Sequence, residues 1–517
     1  MVRAERLSGI LLPVFSLRSR TDLGVGDFGA LPHLFAWMER AQQRMLMVLP
    51  LLPTAHHDPS PYATRSAFGL NSLFIDLNAV PEFVEGGGLG QLNPEERAAA
   101  EEARTAERVR YDRVFWLKGH LLRRAFDRFF EGAWKGDGEP ARQLKRYLSE
   151  QSRWLDAFSL FQAISRREEY RPFWEWPKPL RDRNPQALAE AGQQLSHEVL
   201  YQSWLQWVAE SQWQKVREEA RRRKILLCGD EPFIIGSDSA DCWAWPTLLR
   251  RDARLGVPPD AFSATGQDWG LPYFDFGEMA KDDNAWLRFR AEKSASYFDL
   301  RRVDHAVGYF RQWIRDGQAP TGRFLPPLEP DQREQGERIF KLIGASAGVV
   351  AEDLGMVPPW ARETLTRLGV PGYRVLRWER DNDQYRDPRQ YPAMSLVTSG
   401  THDTDTQREW WETASDAERA GLARVSPELQ SLGPLSAEYT AAVHQALLRT
   451  ALQAGSNICL FPWQDVLGTR DRINLPGTMG ERNWSYRIAQ DAEELLTHPE
   501  TRVAAERLAP WTSNAGR

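Results

Sequence analysis

Three acidic residues close apolar, strand-like runs of the sequence. Asp304 follows Leu-Arg-Arg-Val, Glu352 follows Gly-Val-Val-Ala, and Asp403 follows Leu-Val-Thr-Ser-Gly-Thr-His. They are separated by 48 and 51 residues, about one strand–helix unit each. In a barrel of parallel strands, such positions converge on one opening. Acids can also cap helices or pair with arginines, but three at equivalent places would repel one another without a functional reason. We therefore expect a shared acidic pocket.

The chemistry that suits such a pocket is cleavage of a glycosidic bond. A retaining reaction needs an ionised nucleophile and a protonated carboxyl about 5–5.5 Å apart. Arg302 precedes Asp304 by two residues, on the same strand face, and would hold Asp304 ionised. Glu352 has apolar neighbours, which favour a raised pKa and a role as general acid. Asp403, beside His402, could bind ring hydroxyls and favour a distorted, oxocarbenium-like sugar.

Other kinds of site are less well supported by the residue pattern. His305 and His402 could join the acids around a divalent metal, but no H-x-x-x-H or clustered histidine spacing occurs there. His56-His57-Asp58 lies in a proline-rich loop and is interpreted as a polar turn. Cys228 lies inside an apolar run, which indicates an inert thiol. We predict neither a metal nor a cysteine nucleophile.

Composition excludes several functional classes. The 517 residues are 42% hydrophobic and 26% charged with a net charge of −5, which does not suit nucleic-acid binding. The longest apolar stretch, 45–53, is far shorter than the roughly 20 residues that span a bilayer, and no signal peptide is evident. Three scattered cysteines give no disulfide framework and predict a cytoplasmic setting. The 21 tryptophans favour core packing, although indole faces also suit sugar rings.

The elements that must position the acids are short continuous apolar runs, typical of parallel strands buried on both faces. Helical patterns such as 328–344 lie between most of them, and Ser426 and Asn93 precede two further predicted helix starts. The pattern predicts a (β/α)8 TIM barrel of the α/β class, with large, mainly helical insertions because the chain is twice the length that a barrel needs. The eight predicted strand runs are 9–15, 45–53, 224–233, 297–305, 348–355, 371–379, 393–403 and 457–465.

The domain organisation follows from the spacing of these runs. We expect the first two barrel strands in 1–77, a helical insertion subdomain in 78–223 and a barrel strand in 224–235. A loop-rich insertion, 236–295, would form part of the cleft, and 296–517 would complete the barrel.

Several motifs together resemble the 4-α-glucanotransferases (amylomaltases or disproportionating enzymes) of the α-amylase superfamily. The resemblance covers nearly the whole chain, and several motifs are specific to that family. They include SPYATRSAFGLNSLFIDL (60–77), GVPPDAFSATGQDWGLPYFDF (256–276), RRVDHAVGYFRQW (301–313), VVAEDLGMVP (349–358) and SGTHDTDT (399–406).

The resemblance implies a role for each matching residue. Asp304 corresponds to the nucleophile, Glu352 to the acid/base and Asp403 to the transition-state stabiliser. Substrate-binding positions are also implied. Arg302 would partner Asp304, and His402 would contact the same sugar as Asp403. Ser60 and Tyr62 would lie near acceptor subsites, and Gln267 and Trp269 would face the glucan from a mobile loop. His305 is the remaining residue expected to bind substrate.

The expected reaction is transfer of α-1,4-glucan segments between maltodextrins through a covalent glycosyl-enzyme, without cofactor, metal, nucleic acid or membrane. The sequence departs from the family pattern at Thr404, where Asn is common, and at Ala306-Val307. Both departures bear on the glucan chain length that the enzyme prefers. Two alternatives remain: a hydrolase of the same superfamily, and a non-catalytic glucan-binding protein on the same scaffold. The three intact acids argue against the second.

Overall fold

The sequence folds around a closed barrel of parallel strands. In this computed structural model, residues 5–55, 58–259, 266–317, 321–478 and 480–517 are described. Eight strands pair in chain order around the barrel, and the last pairs with the first. The strands of the described residues are β1 (Leu7–Leu11), β2 (Met45–Val48), β3 (Leu226–Glu231), β4 (Leu249–Val257), β5 (Gln267–Phe274), β6 (Leu300–Val303), β7 (Gln312–Arg315), β8 (Arg323–Leu325), β9 (Gly348–Ala351), β10 (Gly372–Val375), β11 (Arg380–Asp381), β12 (Gln384–Tyr385), β13 (Ser395–Thr398) and β14 (Ile458–Pro462).

The barrel confirms the predicted fold. Its strands are β1, β2, β3, β6, β9, β10, β13 and β14, and seven lie within the eight predicted runs while β1 overlaps the first. All residues of β2, β13 and β14 are buried, as expected when side chains on one face fill the barrel and those on the other pack beneath the helices.

Helices surround the barrel and form most of the segment 78–223. Helices α12 and α16 begin where the sequence predicts, and Asn93 forms a capping box with Glu96 at the start of α3. The helices of the described residues are α1 (Leu31–Arg40), α2 (Pro81–Glu85), α3 (Pro94–Thr105), α4 (Tyr111–Phe129), α5 (Glu139–Arg167), α6 (Lys178–Arg181), α7 (Pro185–Gln194), α8 (Ser196–Arg222), α9 (Ala240–Ala244), α10 (Phe276–Ala280), α11 (Ala285–Tyr297), α12 (Glu329–Gly344), α13 (Pro359–Arg367), α14 (Gln407–Thr413), α15 (Asp416–Val425), α16 (Pro427–Gln430), α17 (Ala441–Leu452), α18 (Trp463–Leu467) and α19 (Pro499–Asn514).

Tryptophans fill the core, as the sequence favoured. Seven of them are among the largest side chains that are fully buried. The seven are Trp37, Trp154, Trp204, Trp213, Trp243, Trp411 and Trp463. Separately, none of the helices described is long and apolar enough to cross a bilayer.

The loop-rich character predicted for 236–295 is wrong. Strands β4 and β5 pair antiparallel there, β4 also pairs with β7, and β7 pairs with β8, so that a four-stranded sheet stands outside the barrel. The segment 296–517 therefore contributes two strands to this sheet as well as the rest of the barrel. Arginines, Gly270 and Pro272 interrupt the apolar alternation of β4 and β5, and backbone pairing with neighbouring strands overrides their weak local pattern.

The barrel wall leaves no space for a side chain at one position of β1. A Cβ atom on Gly9 would lie 2.3 Å from the carbonyl oxygen of Met45 on β2. We expect Gly9→Ala to destabilise the fold by about 1–3 kcal/mol because two paired strands must separate. Gly192→Ala, in α7 with no atom within 4 Å of the added Cβ, is the matched control and should be neutral or slightly stabilising. Thermal unfolding of both variants compares them, and equal midpoints would contradict the prediction.

Candidate active site

Strand register places Asp304 and Glu352 side by side at the carboxyl ends of β6 and β9. Val303 pairs with Ala351, so the two acids occupy the next positions on adjacent strands. Glu352 is fixed by backbone donors: the amide of His305 donates to its Oε2 at 2.9 Å, and the amide of Leu354 donates to Oε1 at 3.1 Å. The nucleophile and acid/base positions expected from the sequence are therefore neighbours.

One arginine joins Asp304 to a further acid. Arg302 Nη1 donates to Asp304 Oδ1 at 2.8 Å and to Asp230 Oδ1 at 2.6 Å. Both Arg302 and Asp230 are almost fully buried, whereas the Asp304 side chain retains 28% exposure. The guanidinium thus compensates two carboxylates, and only the Asp304 carboxylate is accessible from the barrel mouth.

A continuous hydrogen-bonded chain connects this arginine pair to Asp403. The Tyr62 hydroxyl donates to Asp230 Oδ2 at 2.6 Å and lies 3.0 Å from His402 Nε2. The same imidazole nitrogen is 3.2 Å from Asp403 Oδ2. We define the acidic cluster as Tyr62, Asp230, Arg302, Asp304, Glu352, His402 and Asp403. Six of these residues form the connected chain, and Glu352 lies beside it through its strand position next to Asp304.

The carboxyls of this cluster differ in their pKa. Burial, reinforced by the charge of Asp304 and opposed by Arg302, raises the pKa of Glu352 to about 7. Burial would also raise the pKa of Asp403, but His402 and a hydrogen bond from Asn474 at 2.7 Å lower it to about 2. At neutral pH, Glu352 is divided between its acid and base forms while Asp403 stays ionised.

The buried polar groups of the cluster are tuned by the same charges. Burial, with Arg302 opposing it, raises the pKa of Asp230. Burial and the nearby Asp230 raise the pKa of Tyr62, so the phenol stays protonated and can donate. Burial favours neutral His402, yet the adjacent Asp403 raises its pKa above the ordinary value. His305 differs, because burial lowers its pKa.

Sequence reasoning missed two members of the site. Asp230 is the last residue but one of the third barrel strand, β3, so a search for acids at strand ends could have found it. Asn474 carries no such signal, because it lies 71 residues beyond Asp403 in a loop after β14.

The remaining predicted residues lie at different places. Trp269 packs edge-on against His305 with ring centroids 5.0 Å apart, and its Nε1 donates to Gln267 Oε1 at 3.3 Å. Ser60 shapes a turn, because its Oγ accepts from the Tyr62 amide at 3.3 Å and its own amide donates to Asp58. The structure gives no contact between the Ser60 side chain and the acids of the cluster. His56 and His57, and residues 260–265 of the expected mobile loop, lie outside the described residues.

Two cavities lie beside the cluster, and the second has a cluster residue, Asp403, in its lining. One of about 240 Å³ is lined by Gln267, Trp269, His305 and Leu354. Another of about 420 Å³ is lined by Asp403, Arg472 and Trp378, whose ring is half-exposed.

The reactive side chains of this site are carboxyls. Within the described part of the chain, no group of three or more His, Cys, Asp or Glu residues could hold a metal ion. Cys228 is buried in β3, and burial raises the pKa of its thiol to about 12. What the site offers is one ion-paired carboxylate next to one carboxyl that can exchange a proton.

The chain is similar to known proteins over nearly its whole length. Residues 12–492 match the glycoside hydrolase 77 family, described as 4-alpha-glucanotransferase. The 4-alpha-glucanotransferase of Synechocystis is 33% identical over 94% of this chain and 94% of its own length, and that of Thermus thermophilus is 33% identical over 93% and 95%. An amylomaltase from Streptococcus agalactiae in complex with acarbose superposes with a TM-score of 0.83 at 26% identity, covering 99% of this chain and all of that one.

Proposed function

Since this chain belongs to the 4-alpha-glucanotransferase family and is an enzyme acting on α-1,4-glucans, we propose that it transfers glucan segments by a retaining double displacement. The observation that carries the proposal is the pairing at the ends of β6 and β9. There, Asp304 is ion-paired with Arg302 while its neighbour Glu352 has a pKa raised to about 7. This is the division of labour that retaining glycosyl transfer requires.

In the first step, a carboxylate oxygen of Asp304 attacks the anomeric carbon of the donor. The bond from that carbon to the glycosidic oxygen breaks, and Glu352 gives its proton to the departing oxygen. A glycosyl ester of Asp304 and a shortened glucan with a free 4-hydroxyl result. Asp403, ionised and held by His402 and Asn474, would bind hydroxyls of the reacting sugar and favour its oxocarbenium-like transition state.

The second step reverses the roles. Esterification removes the charge of Asp304, which is one of the causes of the high pKa of Glu352. The Glu352 carboxylate formed in the first step is thereby stabilised as a base. It takes the proton from the 4-hydroxyl of an acceptor glucan, whose oxygen attacks the anomeric carbon and releases Asp304.

Transfer exceeds hydrolysis only if an acceptor sugar, and not water, occupies the acceptor side. Trp269, packed on His305, would form part of a cover over the site, and Gln267 beside it would contact the glucan. The exposed face of Trp378 would support a sugar ring in the cavity beside Asp403. Tyr62 would act mainly by orienting Asp230 and His402, and Ser60 by shaping the turn that carries Tyr62.

We further propose that maltodextrins serve as both donor and acceptor, with no cofactor or metal, and that the enzyme works in the cytoplasm. The three cysteine thiols are free and buried, as is usual in a reducing compartment. The helical segment 78–223 and the sheet-containing segment 236–295 would act as subdomains that wall the cleft.

Incubation with maltotriose tests the reaction type. Transfer conserves the number of reducing ends, so glucose and longer maltodextrins should appear while total reducing ends stay constant. A steady rise in reducing ends without longer products would instead identify the hydrolase alternative. Glucan binding without any change in product distribution would identify a non-catalytic binding protein.

The raised pKa of Glu352 predicts an alkaline limit to activity. The first step needs the protonated acid, whose fraction falls tenfold per pH unit above the pKa. We therefore expect kcat/KM for maltotriose to decline above about pH 7 with a slope approaching −1 on a logarithmic scale. A glycosyl fluoride donor is the control, because fluoride leaves with little protonation and the decline should weaken. An identical alkaline limb for both donors would exclude Glu352 as its source.

A further inference from the structure

A surface cavity on the helical segment 78–223, bounded on one side by residues 243–245, contains charged groups that the fold leaves without partners. The cavity, of about 310 Å³, lies between α5, α7 and α9. Trp243, Trp245, Leu160 and Leu188 supply apolar surface. It shares no lining residue with the acidic cluster or with the two cavities beside the cluster.

The guanidinium of Arg183 lies over one of these indoles. Its guanidinium carbon is 4.5 Å from the ring centroid of Trp243. Among the residues the structure describes, its side chain makes no hydrogen bond and no ion pair, although Nη1 is buried. Burial lowers the pKa of the guanidinium, as expected for a cation without a nearby carboxylate. A buried donor without an acceptor is costly and is uncommon in native proteins.

Asp156, an exposed residue of α5, lines the same cavity and has no hydrogen-bond or ion-pair partner within the described ranges. Burial raises the pKa of its carboxyl, and no cation opposes that shift. Arg183 and Asp156 therefore line one cavity with opposite charges but do not pair. The other arginine there, Arg153, is already engaged: its Nη2 donates to the carbonyl of Ala285 at 3.0 Å.

This combination suits a ligand rich in hydroxyl groups. A sugar hydroxyl can donate to the Asp156 carboxylate and another can accept from Arg183, so both charges are satisfied at once. The C–H face of a pyranose can pack on the partly exposed ring of Trp245.

We propose that this cavity is a second carbohydrate site, which binds an α-1,4-glucan chain away from the catalytic cleft. The inference rests on the proposed function, because it takes the same substrate class. A weak second contact raises the local concentration of a long polymer near the cleft. This second contact does not improve the binding of a donor that is too short to reach both the cavity and the catalytic cleft.

The experiment compares Trp245→Ala and Arg183→Ala with the parent enzyme on two donors. We expect the KM for amylopectin to rise at least fivefold in both variants, while the KM for maltotriose stays within twofold. Trp174→Ala is the matched control: it removes an indole of the same segment that is 36% exposed and stacked on Arg251, but does not line the cavity. Arg183→Ala removes no core side chain and keeps the test valid if Trp245→Ala folds poorly.

Direct binding is measured by electrophoresis in gels that contain amylopectin, with every variant in a Glu352→Gln background so that the polymer is not modified. The parent should be retarded, the Trp174→Ala form equally so, and the two cavity variants should need at least fivefold more polymer for equal retardation. Gels with dextran should retard none of them.

Equal retardation of parent and cavity variants, a parallel rise of KM on both donors, or equal retardation by dextran would overturn the assignment. Failure of the proposed function is distinguishable, because the parent itself would then neither disproportionate maltotriose nor be retarded.

Discussion

Replacing Glu352 with glutamine should lower transfer from maltotriose by about 10³-fold or more. The amide keeps the shape of the side chain, and its one oxygen can still accept from the backbone amide of His305, although the amide of Leu354 loses its acceptor. It cannot give a proton to the departing glucan oxygen or take one from the acceptor. Both chemical steps lose their proton-transfer group, so the effect should appear in kcat rather than in KM.

An activated donor separates this role from a general loss of structure. With α-maltotriosyl fluoride, the Glu352→Gln enzyme should still form the ester on Asp304, because the leaving fluoride hardly needs a proton. The second step remains slow, and intact-protein mass spectrometry should detect an adduct of one maltotriosyl unit. Glu379→Gln is the control: burial raises the pKa of this carboxyl too, but it makes no contact with the acidic cluster. Its activity should stay within about threefold of the parent. Near-normal turnover of maltotriose by Glu352→Gln would refute the assigned role.

Replacing Arg302 with methionine should remove both activity and stability. Asp230 and Asp304 would lose the guanidinium that lies 2.6 and 2.8 Å from their oxygens. Because the Asp230 side chain is fully buried, the cost of an unpaired carboxylate should be about 3–5 kcal/mol, unless Asp230 takes up a proton. The pKa of Glu352 should also rise, because Arg302 lowers it in the native enzyme.

A double variant distinguishes electrostatic from steric causes. Arg302→Met combined with Asp230→Asn removes the cation together with its most buried partner, so the thermal unfolding midpoint should recover part of the loss. Activity should not recover, because Asp304 still lacks its ion pair. A double variant less stable than Arg302→Met alone would show that methionine packing, and not the uncompensated charge, accounts for the damage.

Much of the barrel and of the site was predictable because both follow from short-range patterns. Buried parallel strands are continuous apolar runs, and the residues that follow them meet at one opening, so Asp304, Glu352 and Asp403 could be placed together from their spacing alone. Strands β4 and β5 could not be predicted in this way, because their arginines, glycines and proline are tolerated only after β7 and its neighbours complete the sheet.

The contacts that tune the site depend on tertiary structure. Tyr62 reaches Asp230 across 168 residues of sequence, and Asn474 reaches Asp403 across 71. No periodicity relates such pairs. The apolar neighbours of Glu352 in the sequence predict its raised pKa. The opposing effects of Asp304, which raises this pKa, and Arg302, which lowers it, can be judged only from the positions of the three side chains in space.

The pairing of β1 with β14 has a consequence for synthesis of the chain. Leu7 finds its partner Ile458 only after about 450 further residues have left the ribosome, which takes on the order of 20–90 s at typical translation rates. During that interval β1 can join β2, but its other edge stays open and apolar. Unpaired edges of this kind invite association between nascent chains. We expect the newborn polypeptide to depend on chaperones until the ring of strands is complete.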